Sequence, residues 1–298
     1  MKGMQKQARL SVIVLVLAMA WSLAGCGAST GQAAGAATVI TNSGSDTMIN
    51  LALAWAEAYQ ALHTDLRISV TGGGTGIGIS ALANHTVDIA NASRAIKAEE
   101  KTLIQQGGAA PVEYVVARDA IAVIVNPRNP ISRLTLDQIS LIYQGKINNW
   151  RELGGENRPI VRLSRETNSG THVYFLETVV RLGNKTDKSL FSPDTLLLPS
   201  SEGIIAEVST NPNAIGYDGL GYITPQVKTL AIAKKEGEAY VLPSVETVNN
   251  KTYAVSRDLY MYTPADSSAA VKSYLAWIMG SEAQAIVNQL GFVPLAAK

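Results

Sequence analysis

The chain has 298 residues, with 25 Lys and Arg against 24 Asp and Glu, one cysteine and three histidines. That length holds one large domain or two modest ones, and the balanced charge, with no run of Lys or Arg, excludes the footprint of a nucleic-acid-binding protein. A single cysteine excludes a disulfide framework and a multi-cysteine zinc site, and the scattered His63, His85 and His172 show no metal-ligand spacing, so no metal or cofactor is expected.

Residues 1–25 read as a leader. Lys2, Lys6 and Arg9 precede an apolar stretch over 10–20 that is short for a membrane span. The stretch ends in Leu23-Ala24-Gly25-Cys26, which resembles the lipobox of bacterial lipoprotein precursors, where the cysteine is lipidated and becomes the new N-terminus. An ordinary signal peptide with an incidental cysteine is the other reading. Without the leader's three positive charges the chain carries 22 basic and 24 acidic residues, so global charge attracts no anion. Residues 26–37 are small and have nothing to bury, as in a flexible tether. The expected product is a soluble domain held outside the cytoplasm by an N-terminal lipid.

From residue 38 onward, short apolar runs alternate with amphipathic stretches, which predicts an α/β chain. Strands are expected at 38–41, 67–71 and 87–91, with helices over 47–63 and 77–84 between them. The continuous apolar run 120–126, closed by Pro127 and Pro130, suits a buried strand. Helices are expected over 136–143 and 171–182, strands at 160–163, 214–217 and 230–233, and one or two helices over 269–290.

Three junctions share one chemistry: strand, then a turn of Gly and hydroxyl residues, then helix. They are Ser43-Gly44-Ser45-Asp46-Thr47, the stretch from Gly72 to Gly76, and Arg165-Glu166-Thr167-Asn168-Ser169-Gly170-Thr171. A helix N-terminus leaves backbone N–H groups unpaired and carries about half a positive charge, which favours an anion. Glycine lets the backbone approach a ligand, and Ser or Thr adds a hydroxyl donor. The same residues also serve as plain helix caps. No dinucleotide fingerprint and no phosphate loop with a following Lys is present, so a nucleotide is disfavoured.

At these residues the chain resembles the phosphate-binding lipoproteins of phosphate-specific ABC transporters, within the type II periplasmic binding proteins. The resemblance runs in order through ITNSGSDTMINLALAWAEAY, GGGTGIGISAL, VDIANASRAIKAEE, AIAVIVNPRNP, LTLDQISLIYQGKINNW, SRETNSGTHVYF, AIGYDGLGY, SRDLYMYT and GFVP. It implies a two-lobed α/β clamp, each lobe a central sheet flanked by helices, with lobe one from 38–118 plus 254–298 and lobe two from 119–253. It implies capture of inorganic phosphate by a monomer that delivers it to permease subunits, without catalysis.

The resemblance places Ser45, Asp46, Thr47, Thr75 and Gly76 at the anion from the first two turns, and Arg165, Ser169, Gly170 and Thr171 from the third. Ser93 stands where relatives carry an aspartate that accepts the anion's proton, and Thr167 replaces an Asp that would buttress Arg165. Asp46 is therefore expected either to supply the missing acceptor or simply to cap its helix. Arg94 is expected at the anion or tied to a rim carboxylate such as Glu99. Tyr217, Tyr222, Trp55 and Trp150 are read as packing residues, His172 as a capped surface position and Arg257 as structural. The alternatives are a binder of sulfate, molybdate or tungstate, or an exported phosphate-ester hydrolase, which lacks a nucleophile elbow here.

Overall fold

The computed structural model describes residues 37–295; the leader, Cys26 and residues 26–36 of the tether lie outside the described residues. The first third holds β1 (Thr38–Gly44), a 3-10 turn (Asp46–Met48), α1 (Ile49–Leu62), β2 (Leu66–Thr71), α2 (Thr75–Ala83), β3 (Ile89–Ala92) and α3 (Ala98–Gln106). The middle holds β4 (Pro111–Val125), β5 (Arg133–Thr135), α4 (Leu136–Tyr143), β6 (Val161–Arg165), α5 (Gly170–Phe175), β7 (Leu196–Leu198) and α6 (Ser201–Thr210). The remainder holds β8 (Ala214–Gly219), β9 (Lys228–Thr229), β10 (Ala231–Ala233), α7 (Val245–Asn249), β11 (Ser256–Pro264), α8 (Ala269–Ile278) and α9 (Ser281–Gln289). The fold is mixed α/β, as the sequence predicts. No helix among the described residues is long and apolar enough to cross a membrane.

Strands follow one another in the order β2-β1-β3-β11-β4-β8-β6-β7, with β9 also on β4, while β5 and β10 pair separately. The pairs β1–β2, β1–β3, β6–β7 and β6–β8 are parallel. Parallel neighbours need crossover connections, and α1, α2 and α6 lie on those crossovers. Helix α1 buries Leu51, Ala52, Trp55, Ala56 and Tyr59, one stripe at helical spacing. Trp55 is fully buried and its indole N–H donates to the Ala283 carbonyl at 2.9 Å, fastening α1 to α9. A second cluster packs Phe175 face to face on Tyr217, with ring centres 3.6 Å apart, and Trp150 beside them donates to the Asn213 carbonyl. These aromatic residues pack as expected.

Strand β4 corrects the expected strand at 120–126, because it begins at Pro111 and runs for 15 residues. Its charged first half broke the apolar pattern, yet each charge meets a partner on β11. Glu113 accepts from the Tyr262 hydroxyl at 2.8 Å, Arg118 lies 3.4 Å from Asp258, and Asp119 lies 3.0 Å from Arg257. Strand β4 pairs with β11 up to Ala120 and with β8 from Ile121 onward, so one strand serves both halves of the sheet. The β4–β11 ladder shifts register between Leu259 and Tyr260, where Leu259 faces Ala117 and Tyr260 faces Val115. The extra residue is a bulge at Val116. The expected helix over 171–182 is also revised, since α5 stops at Phe175 and continues as a π turn over Leu176–Val180.

At the end of β1, Gly44 has φ 140°, and a Cβ there would lie 2.3 Å from the Asn91 carbonyl oxygen of β3. Only glycine fits so close to a neighbouring backbone. The variant Gly44→Ala is expected to lose about 2 kcal/mol or more of stability. Denaturant unfolding checks this, and an unchanged midpoint would refute it.

Candidate anion-binding site

The three Gly and hydroxyl turns meet in the interior. Strand β1 delivers Ser45, Asp46 and Thr47; the Gly72–Gly74 turn opens α2 at Thr75; and β6 leads to Ser169, which caps α5. The Gly74 N–H donates to the Gly44 carbonyl at 2.9 Å, so the first two turns are tied by backbone. The hydroxyls of Thr47 and Thr171 are 2.7 Å apart, although 124 residues separate them in sequence. Thr75 and Ser93 form a second hydroxyl pair at 3.3 Å, and the Ser93 N–H donates to the Thr75 oxygen at 3.1 Å. All four side chains are buried. Gly170 closes against the second pair: a Cβ on it would lie 2.4 Å from the Thr75 oxygen and 2.5 Å from that of Ser93.

Further contacts join the same turns. Ser169 accepts from the N–H groups of Thr171 at 3.2 Å and His172 at 3.5 Å. The Gly76 N–H donates to the Asn168 carbonyl, and the Asn168 amide donates to the Gly73 carbonyl at 2.7 Å. The backbone donor expected of Gly76 is therefore already engaged. The Ser45 hydroxyl is buried and has no partner among the described residues.

Arg165 is buried, with nearly every N–H engaged. It donates to Ser201 at 2.9 Å, to the Pro199 carbonyl at 2.6 Å, to the Leu198 carbonyl at 3.3 Å and to Asp46 at 2.9 Å. The other oxygen of Asp46 accepts the Gly73 N–H at 2.8 Å. Asp46 thus neither caps its helix through its side chain nor keeps an oxygen free of donors. It buttresses Arg165. Asp218 lies 4.0 Å from Arg165 and accepts from the Ser201 hydroxyl and the Gly219 N–H. Burial raises its pKa to about 6, with the Arg165 charge opposing the shift.

A second buried ion pair, Arg257 with Asp119, was not among the candidates. Arg257 donates to Asp119 at 3.0 Å, to the Ser93 carbonyl at 2.8 Å and to the Thr171 hydroxyl at 2.9 Å, and reaches the Thr47 hydroxyl at 3.4 Å. Burial raises the pKa of Asp119 and the Arg257 charge lowers it, with burial the larger effect. The signal for this pair was a lone Arg within the alternating strand SRDLYMYT and an Asp opening the apolar run 120–126.

Other expectations need revision. Both terminal nitrogens of Arg94 are taken by Glu100, at 2.6 and 2.8 Å, rather than Glu99. Glu100 is at the third position of α3, where it also accepts the Lys97 N–H. The terminal nitrogens of Arg94 are thereby committed to the rim carboxylate. His172 is buried rather than at the surface; its Nδ1 lies 2.8 Å from the Arg165 carbonyl oxygen, and burial lowers its pKa. The Tyr222 hydroxyl donates to the Asp46 carbonyl at 2.7 Å, so this packing residue also steadies the first turn. Among the described residues no group of His, Cys, Asp and Glu could hold a metal ion.

Comparison with known proteins agrees with this geometry. Residues 31–282 match the PBP superfamily domain. The phosphate-binding protein PstS of Pseudomonas aeruginosa is 33% identical over 286 residues, covering 90% of this chain and 86% of that protein. The phosphate-binding protein PstS of Bacillus subtilis is 29% identical over 302 residues, covering 97% of this chain and 95% of its own. A crystal structure of an ABC transporter substrate-binding protein from Clostridium perfringens, with bound phosphate, superposes with a TM-score of 0.78 at 32% identity, covering 87% of this chain and all of that one. The chain therefore belongs to the PBP superfamily and, within it, to the family of the phosphate-binding proteins PstS, the substrate-binding proteins of phosphate ABC transporters.

Proposed function

We propose that this chain captures inorganic phosphate outside the cytoplasm and delivers it to the permease of an ABC transporter. The observation that carries this reading is the meeting of the buried Thr47–Thr171 and Thr75–Ser93 hydroxyl pairs, drawn from turns far apart in sequence. In this reading Ser45, Asp46, Thr47, Thr75, Ser93, Arg165, Ser169, Gly170 and Thr171 form the site, while Gly76 ties the second turn to Asn168. Asp46 acts on Arg165 and not as a proton acceptor. Arg94 stays on Glu100.

The energetics suit an anion held by many donors. Micromolar affinity corresponds to about −8 kcal/mol, whereas a helix terminus contributes only about 0.3–2 kcal/mol. Hydrogen bonds to a charged group contribute about 1.5–3 kcal/mol each, so several are needed. Both arginines are already paired with carboxylates. The anion is held by oriented hydroxyl and amide dipoles more than by excess positive charge.

Residues 38–118 with 254–298 form one lobe and residues 119–253 the other. Support comes from β4, which changes partner between Ala120 and Ile121. The Thr47–Thr171 and Gly73–Asn168 contacts then span the cleft, and ligand favours closure by what it adds to them. The chain is a monomer anchored through lipidated Cys26. It binds without turnover, because buried His172 faces Ser164 and the Arg165 carbonyl and offers the site hydroxyls no base.

Titration calorimetry of protein stripped of ligand tests the reading. Saturable phosphate binding tighter than sulfate binding is expected; no phosphate binding would refute it. Arg165→Ala is expected to weaken phosphate by tenfold or more, the scale of one lost hydrogen bond to a charged group. A loss below tenfold would remove Arg165 from the site. Gly170→Ala is expected to weaken binding by at least tenfold, because its methyl group would push the Thr75 and Ser93 hydroxyls apart.

Asp218 adds a pH signature. Its folded pKa of about 6 exceeds the ordinary value of about 4, so the native state keeps a proton that the unfolded chain releases between these values. Its contribution to stability is present below about pH 4 and is lost as pH rises to about 6. Asp218→Asn is expected to flatten that decline in thermal melts from pH 4 to 6.5. An unchanged slope would contradict the assignment.

A further inference from the structure

We infer that Arg257 is a positioning residue for the anion site, acting through the Thr171 and Thr47 hydroxyls; this rests on the phosphate-binding reading above. A hydroxyl has one proton to donate and two lone pairs that accept. Where an N–H donor takes a lone pair, the proton is left to point elsewhere. At Thr75 the Ser93 N–H supplies that donor, and at Ser169 the N–H groups of Thr171 and His172 supply it. Both hydroxyls are oriented by backbone.

Thr171 and Thr47 have no such backbone donor among their bonds. Their oxygens receive the Arg257 guanidinium instead, at 2.9 and 3.4 Å, and share one proton between them at 2.7 Å. Of their two protons one lies in the mutual bond, and the other is left for an acceptor in the cleft. Removing Arg257 frees the lone pairs, so the spare proton loses its fixed direction and either oxygen can turn a lone pair toward the anion.

The guanidinium is itself held in place. Asp119 takes two of its nitrogens, at 3.0 and 3.3 Å, and the Ser93 carbonyl takes a third hydrogen bond. The Tyr174 ring lies 5.5 Å from its centre on the outer side. A cavity of about 300 Å³ lies beyond, lined by Arg94, Tyr174, Arg257 and Tyr260. The planar fork aims fixed donors at Asp119, Ser93 and Thr171 together, a geometry that a Lys point charge on a flexible stem does not preset.

The test is a pair of double-mutant cycles read by phosphate titration of stripped protein. Replacing Arg257 alone would leave Asp119 buried and uncompensated, so the substitution is made as Arg257→Gln with Asp119→Asn, beside Arg257→Lys alone. Each is expected to weaken phosphate by on the order of tenfold or more, the scale of one hydrogen bond to a charged group. Adding Thr171→Val to the Gln/Asn pair should cost less than about threefold further, because both changes act on the same donated proton. Adding Thr75→Val should multiply the losses, since Thr75 is oriented by backbone.

A merely structural role would weaken both combinations alike. Losses that multiply with Thr171→Val, or an Arg257→Lys protein within twofold of wild type, would overturn the inference. Should the Gln/Asn pair fail to fold, the same cycles are run on Arg257→Lys, which keeps the buried charge. Absence of phosphate binding by the wild type would refute the proposed function instead, so the two failures are separable.

Discussion

Burying a charge in this protein requires giving it a partner, and the interior is arranged around that requirement. Arg165 is met by Asp46 and lies near Asp218, while Arg257 is met by Asp119. An unpaired ion in such a place costs several kcal/mol. The partners come from distant segments: Asp46 from the first turn, Asp119 from β4 and Arg257 from the returning strand. The Asp46–Arg165 pair joins the first and third hydroxyl turns, and Asp46 also accepts the Gly73 N–H of the second, so the same electrostatic demand helps to compose the site.

Much of this was legible in the chain. The α1 stripe, the α4 boundaries at 136–143 and the three Gly and hydroxyl turns all follow from local patterns, which act over a few residues. The first half of β4 was not legible, because Glu113, Arg118 and Asp119 break the apolar pattern that marks a buried strand. Their partners on β11 lie some 140 residues away, and no local rule pairs them. Helix α3, with its polar sequence AEEKTLIQQ, was missed because it buries only Ile104 and so shows no apolar stripe.

The site divides along the same line. Its hydroxyls, apart from Ser93, which only the resemblance places there, could be named from turn chemistry, whereas the roles of its charges could not. The sequence offers Asp46 as an acceptor or a cap, and its geometry gives a third role as the carboxylate under Arg165. Arg257 looked structural because it lies near the expected hinge return. Only the register of β11 against β4 brings its head to Thr171.

That register depends on the bulge at Val116. If the outer pairing of Tyr260 with Val115 were continued inward without the extra residue, Arg257 would stand opposite Arg118 rather than Asp119. Like charges facing each other across a ladder repel, and Asp119 would turn to the opposite face. The bulge therefore works as a phase correction between two patterns written on one strand. The outer residues follow the hydrophobic alternation, and the inner ones follow the charges. In this part of the sequence an insertion or deletion of one residue carries more consequence than most substitutions, because it decides which charge is read against which.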